Sequence, residues 1–245
     1  MSTRKLLSAV LSAALLPMAG HALSGGADGG IAVSGNIALT SDYRFRGISQ
    51  SDESPAIQGG FDVEFSPGFY LGTWGSSVDF DSNDGYDGSL ELDYYAGWAG
   101  SIGASGIGLD VGYIYYDYPG DNGAKGDYQE VYLKTSWRNL TLGAAYSDDY
   151  YAQTDEFWYL SGDYSVPLTD TLSLGLHAGY NMLEQGGGFL SSDEDAYTDY
   201  SVSLTWSGAG VDISLAYVGT DLDDRDVFGT DWADDTAIIA ISKRL

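Results

Sequence analysis

From residue 33 to the last residue, apolar and polar positions alternate with a period of two through twelve stretches of roughly ten residues. Successive side chains on an extended chain point to opposite faces, so this period predicts strands. The stretches are 33–46, 56–65, 69–79, 89–99, 107–117, 128–138, 139–149, 156–166, 171–181, 197–206, 210–220 and 236–245. In the first, Ile37, Leu39, Tyr43 and Phe45 oppose Asn36, Thr40, Asp42, Arg44 and Arg46. In the ninth, Leu172, Leu174, Leu176 and Tyr180 oppose Ser173, Gly175, His177 and Asn181. Strands with one greasy and one wet face fit a soluble sandwich or a barrel in lipid, with opposite sides turned inward.

The connections separate the two. Those after the even-numbered strands are short, such as Ser66-Pro67-Gly68, Arg138-Asn139 and 207–209. Those after the odd-numbered strands are mostly longer and acidic: 79–88, 119–127, 148–155, 183–195 and 221–235. Short turns on one side and long loops on the other are the habit of an even-stranded membrane barrel, with both termini on the short-turn, periplasmic side. The aromatics agree. On the greasy face Phe69, Trp98, Trp137 and Trp206 fall at the expected periplasmic ends. Tyr115, Tyr146, Trp158, Tyr180 and Tyr217 fall at the outer ends, with Leu, Ile and Val between. Two aromatic girdles suit two lipid–water boundaries. The expected fold is therefore all-β: one antiparallel transmembrane barrel of about twelve strands, with short periplasmic turns and long acidic outer loops.

Residues 1–22 read differently. Arg4 and Lys5, the apolar run Leu6 to Leu16, Pro17 and the small residues around Gly20-His21-Ala22 form a secretory leader cleaved near Ala22. That leaves 23–245 as a single exported β-domain. The chain has no cysteine, which removes thiolate metal sites and cysteine nucleophiles. The formal charge is −26, or −28 without Arg4 and Lys5, which excludes a nucleic-acid partner. It suits cations, or lipopolysaccharide heads bridged by divalent ions.

The stretch Ser41-Asp42-Tyr43-Arg44-Phe45-Arg46-Gly47-Ile48-Ser49-Gln50 resembles the signature of the TorF family of Gram-negative porins. So do Pro55-Ala56-Ile57-Gln58-Gly59-Gly60-Phe61-Asp62 and Gly68-Phe69-Tyr70-Leu71-Gly72-Thr73-Trp74-Gly75-Ser76. These motifs cover about forty residues. The resemblance implies an outer-membrane channel.

Register then names the inward set. Acidic candidates for the pore lining are Asp42, Asp62, Glu64, Glu91, Asp93, Asp110, Glu130 and Asp212, with Asp199 beside them; the basic ones are Arg44, Arg46, Lys134 and Arg138. Facing one another in a confined lumen, they can form a charged constriction or a structural ion-pair network, and the acidic excess predicts a mild cation preference. The acidic runs 81–87 and 221–226 offer oxygen ligands of the kind Ca²⁺ takes, but lack the EF-hand spacing, and no metal site is assigned. His177 is the only histidine past the leader. A hydrolase would need a serine beside it, and Ser173, four residues away on an extended strand, is out of reach. The expectation is passive diffusion of small hydrophilic solutes, without cofactor or reaction, in contact with outer-membrane lipid and lipopolysaccharide. The alternative is a structural or adhesive barrel with a plugged lumen and acidic loops that bind a ligand or divalent ion.

Overall fold

The computed structural model describes residues 30–80, 88–120, 126–184, 186 and 188–245. The expected leader and the acidic run 81–87 lie outside these residues. Twelve long strands are present: β1 (Ile31–Thr40), β2 (Ala56–Phe65), β3 (Phe69–Ser77), β4 (Leu90–Ser101), β5 (Ile107–Asp117), β6 (Tyr128–Trp137), β7 (Leu140–Ser147), β8 (Phe157–Pro167), β9 (Leu172–Met182), β10 (Ala196–Gly208), β11 (Val211–Thr220) and β12 (Thr236–Arg244). Each pairs antiparallel with its neighbours in the chain. β1 also pairs with β12, from Asn36↔Arg244 to Thr40↔Ala240, and the sheet closes into a barrel. Closure leaves no strand edge, so every ladder N–H and C=O can be satisfied inside the wall, which a lipid environment demands.

The alternation is realised with the greasy face outward. Ile31, Val33, Leu39, Leu71, Leu133, Leu160, Leu215 and Ile239 are all exposed, Val33 at 70%. Their inward neighbours, such as Asp62, Glu91, Asp93, His177 and Ser203, are buried. A belt of this extent is of the kind that a membrane barrel turns toward lipid. Near the strand ends, several aromatic residues of the outer face bond to the turns and loops. Trp98 Nε1 donates to the Pro67 carbonyl in the β2–β3 turn at 3.0 Å. At the other end Tyr115 and Tyr217 donate to loop carboxylates of Asp127 and Asp235 at 3.1 and 2.8 Å. Tyr146 and Trp158 are cross-strand partners with ring centroids 4.6 Å apart.

Two expectations are corrected. The first alternating stretch does not run to 46. β1 stops at Thr40, and the chain then turns inward, so Tyr43 and Phe45 are 4% and 9% exposed inside the barrel instead of facing lipid. Nor does Arg138 line the lumen. It occupies the two-residue β6–β7 turn with φ 56°, exposed, its guanidinium 4.5 Å from the centre of the Trp137 ring.

The interior is strongly aromatic. Tyr70, Tyr95 and Tyr132 lie across it, each over a glycine on the adjoining strand. A Cβ at Gly97, Gly72 or Gly112 would meet those rings at 2.3–2.5 Å. The glycines allow large rings to lie flat against the wall, and the rings fill much of the bore that twelve strands leave.

Candidate functional site

The lumen is closed at the long-loop end by the first loop, L1 (residues 41–55). Within it, Arg44–Phe45 and Ile48–Ser49 pair as a small hairpin. Its two-residue turn, Arg46-Gly47, has φ 48° and 86°, the double positive φ of a type I′ turn. Glycine is required at 47 for a second reason: a Cβ there would lie 2.3 Å from Thr220 Cγ2 on the barrel wall. L1 is tied down by main-chain bonds from Ser49 N to Trp232 O and from Asp79 N to Gln50 O, 2.9 Å each.

Both arginines serve this plug. Arg44 is fully buried. It donates through Nε to Asp42 at 2.6 Å, through Nη1 to the carbonyls of Gly47, Trp232 and Asp234, and through Nη2 to Glu53 at 2.9 Å. It thereby joins L1 to the last loop, L6 (residues 221–235). Arg46 points down into the bore and places Nη2 against both oxygens of Glu130 on β6, at 2.7 and 2.9 Å. Its guanidinium lies 4.3–4.8 Å from the ring centres of Tyr159, Phe45 and Phe157. Aromatic faces and a carboxylate together offset the loss of hydration. Above this pair Phe45, Phe80, Tyr118, Tyr128, Tyr150, Phe189 and Trp232 line a shallow cup with about 60 Å³ of room for water centres.

Below the plug the bore is crossed by hydrogen-bonded layers. Tyr70 donates to Asp110 at 2.5 Å and bonds Tyr132; Tyr95 donates to Asp62 at 2.6 Å. His177 is pinned between Asp163 (Nδ1, 2.8 Å) and Asp199 (Nε2, 2.9 Å), with the Tyr159 hydroxyl at 3.0 Å and Asn181 donating to Asp199 at 2.8 Å. Among the described residues no serine hydroxyl bonds His177, so the nucleophile–base pair of a hydrolase is not assembled there. Lys134, Glu130, Asp163, Thr141 and Ser161 bound a second cavity with about 60 Å³ for water centres. That is room for a few waters, not for a solute column.

The charged residues singled out from sequence therefore separate into four groups. Asp42, Arg44 and Arg46 build the plug. Asp62, Glu91, Asp93, Asp110, Glu130, Lys134 and Asp199 face the interior below it. Glu64 and Asp212 are half-buried near the short-turn end, and Arg138 is outside. Alternation puts Tyr70, Trp74, Tyr95 and Tyr116 on the same inward face, and a choice of charged residues alone passes over them; Asp163 lies in the less regular eighth stretch. How the tyrosine rings lie across the bore over facing glycines needs the cross-strand register.

Among the described residues no group of three or more His, Asp or Glu side chains gathers as a metal cluster. The acidic run 221–226 instead caps its own short 3-10 turn. Asp223 N donates to Asp226 Oδ2 at 2.9 Å, and this bond holds the Asp226 carboxyl below the usual range. Glu53 and Asp234 are pushed up, chiefly by burial and then by the neighbouring carboxylates of Asp231 and Asp224 respectively.

Residues 24–244 match the Gcw_chp family, described as a bacterial protein of unknown function. The chain belongs to the Gcw_chp family. No curated protein matches it. Among solved structures, the Gcw_chp barrel resembles the NanC porin at TM-score 0.56 and 12% identity, over 87% of this chain and 100% of that one. It resembles the KdgM porin at TM-score 0.55 and 10% identity, over 86% and 98%. A KdgM porin in complex with disordered oligogalacturonate aligns at TM-score 0.52 and 10% identity, over 86% and 97%. The likeness is one of fold: a twelve-stranded closed antiparallel barrel of the porin kind.

Proposed function

We propose that this Gcw_chp barrel is a channel of the bacterial outer membrane for small hydrophilic solutes, with L1 as its constriction. The observation that carries the reading is a closed barrel with an apolar belt outside and a charged, hydrogen-bonded interior. The porin fold of its neighbours and the TorF-like motif at 41–76 support it. In this reading residues 1–22 are removed on export, the short turns face the periplasm, and the acidic loops meet lipopolysaccharide. Passage is passive, without cofactor or catalysis. Interior carboxylates outnumber interior cations, so cations are favoured over anions.

The second reading, a plugged structural barrel with a binding surface, is favoured by one specific observation: L1 fills the loop end and Arg44 is wholly buried there. Single-channel recording in a planar bilayer under a salt gradient separates the two. Discrete steps with a cation-biased reversal potential support the channel. Inserted protein that stays silent, both as wild type and with L1 shortened, supports the structural barrel.

A further inference from the structure

Glu91 and Asp93 lie two residues apart on β4, both pointing into the bore, and are 1% and 0% exposed. Glu91 Oε1 accepts a hydrogen bond from the Tyr43 hydroxyl of L1 at 3.1 Å. Among the described residues, Glu91 Oε2 and both carboxylate oxygens of Asp93 have no hydrogen-bond partner. Among the described residues the interior cations are placed elsewhere: Arg44 pairs with Asp42 and Glu53, Arg46 with Glu130, and Lys134 lines the lower cavity with Glu130 and Asp163. Arg138, Arg225, Lys243 and Arg244 are exposed.

Two buried carboxylates without a countercharge are not a stable arrangement; such groups take up either protons or a cation. Protons leave a defect here. One proton on Asp93 supplies a single O–H donor, even when shared with Glu91, while three buried oxygens of the pair lack a partner among the described residues. A cation satisfies the three oxygens together. We propose that Glu91 and Asp93 bind a hard divalent cation of the Ca²⁺ class beneath L1. The donor set is all oxygen, and its two charges match the ion. With only two carboxylates, water completes the shell, so affinity falls on the order of 10⁻⁴–10⁻³ M, as in weak extracellular Ca²⁺ sites. Through Tyr43 the ion fastens the plug to the wall. This site does not depend on whether the barrel conducts.

Trp74 is the cross-strand partner of Asp93, 2% exposed, with its Nε1–H unpartnered. It provides a local reporter. The test uses the full mature barrel, refolded and stripped with EDTA, then titrated with Tb³⁺ as a luminescent substitute for Ca²⁺ and excited through tryptophan. The expected result is saturable emission displaced by Ca²⁺. Affinity should fall roughly tenfold or more in Glu91→Gln and in Asp93→Asn, and the signal should collapse in Trp74→Phe. Unchanged Ca²⁺-displaceable emission in Asp93→Asn would overturn the proposal, because the ion would then sit on the loops. So would its absence from folded wild type. If neither carboxyl variant folds, infrared spectra of the wild type decide. A protonated-acid C=O band that persists with Ca²⁺ at neutral pH overturns the site, and its absence supports it.

Discussion

Arg46 illustrates how a single side chain can be essential without being exposed to anything that passes. Its charge is balanced by Glu130 and by three aromatic rings, all inside the barrel. Arg46→Ala should cost about 3–5 kcal/mol, because it leaves the Glu130 carboxylate buried and alone. Arg46→Ala/Glu130→Gln should recover part of that loss, read as denaturant midpoints of the folded barrel in detergent. Equal midpoints for the single and double variants would mean the two residues are not coupled. Lysine at 46 restores the charge but not the two-pronged contact or the stacking, so it should rescue incompletely. Asp226 gives a residue-scale dependence on pH. Its folded pKa lies below the ordinary Asp value of 3.8, so the stability it contributes is present above that value and lost as pH falls through the lower one. Hydrogen exchange across 221–235 should accelerate in that acid window in the wild type. In Asp226→Asn the same window should be flat, and a profile identical to wild type would remove the cap from the loop's stability.

At the scale of elements, the twelve strands were legible because period-two alternation and turn chemistry are local signals. L1 was not legible, for a physical reason. Tyr43-Arg44-Phe45-Arg46 alternates as well as any lipid-facing strand, and a hairpin folded into a bore alternates for the same geometric cause. What distinguishes them is position along the barrel axis, which the sequence does not carry. The Arg46-Gly47 turn was the available cue, weakened because Asn or Asp usually precedes the glycine in such turns. The plug can be tested as one unit. Ser51 and Asp79 form an isolated bridge between L1 and the segment after β3. The chain has no cysteine, so Ser51→Cys/Asp79→Cys introduces a single possible disulfide. If L1 must shift for solutes to pass, conductance should be suppressed when the pair is oxidised and return on reduction. Identical conductance in both states would show that L1 stays in place while the barrel conducts.

For the whole molecule, the decisive matter is which side of the wall is apolar, and here the alternation and the structure coincide. Leu160 is 47% exposed on the outer face of β8, while Ser161, the next residue, lines the inner cavity with Lys134 and Asp163. The filled lumen was less legible than the wall, since ring-over-glycine packing depends on cross-strand register between segments far apart in sequence. That packing also bears on how so acidic a chain can hold together: apart from Asp93, interior carboxylates such as Asp62, Asp110, Glu130 and Asp199 are met by phenol, imidazole and guanidinium donors from the wall and from L1. The two faces of β8 therefore predict opposite outcomes for the same chemical change. Leu160→Arg places a charge toward hydrocarbon near the middle of the strand and should cost about 2–4 kcal/mol. Ser161→Arg places it toward Asp163 and Glu130, in a cavity with room for water, and should be better tolerated. Folding in lipid vesicles, followed by heat-modifiable mobility and urea titration, measures both. Comparable damage from the two substitutions would mean that the inward and outward faces of β8 are not the ones described, and with them the register of the wall.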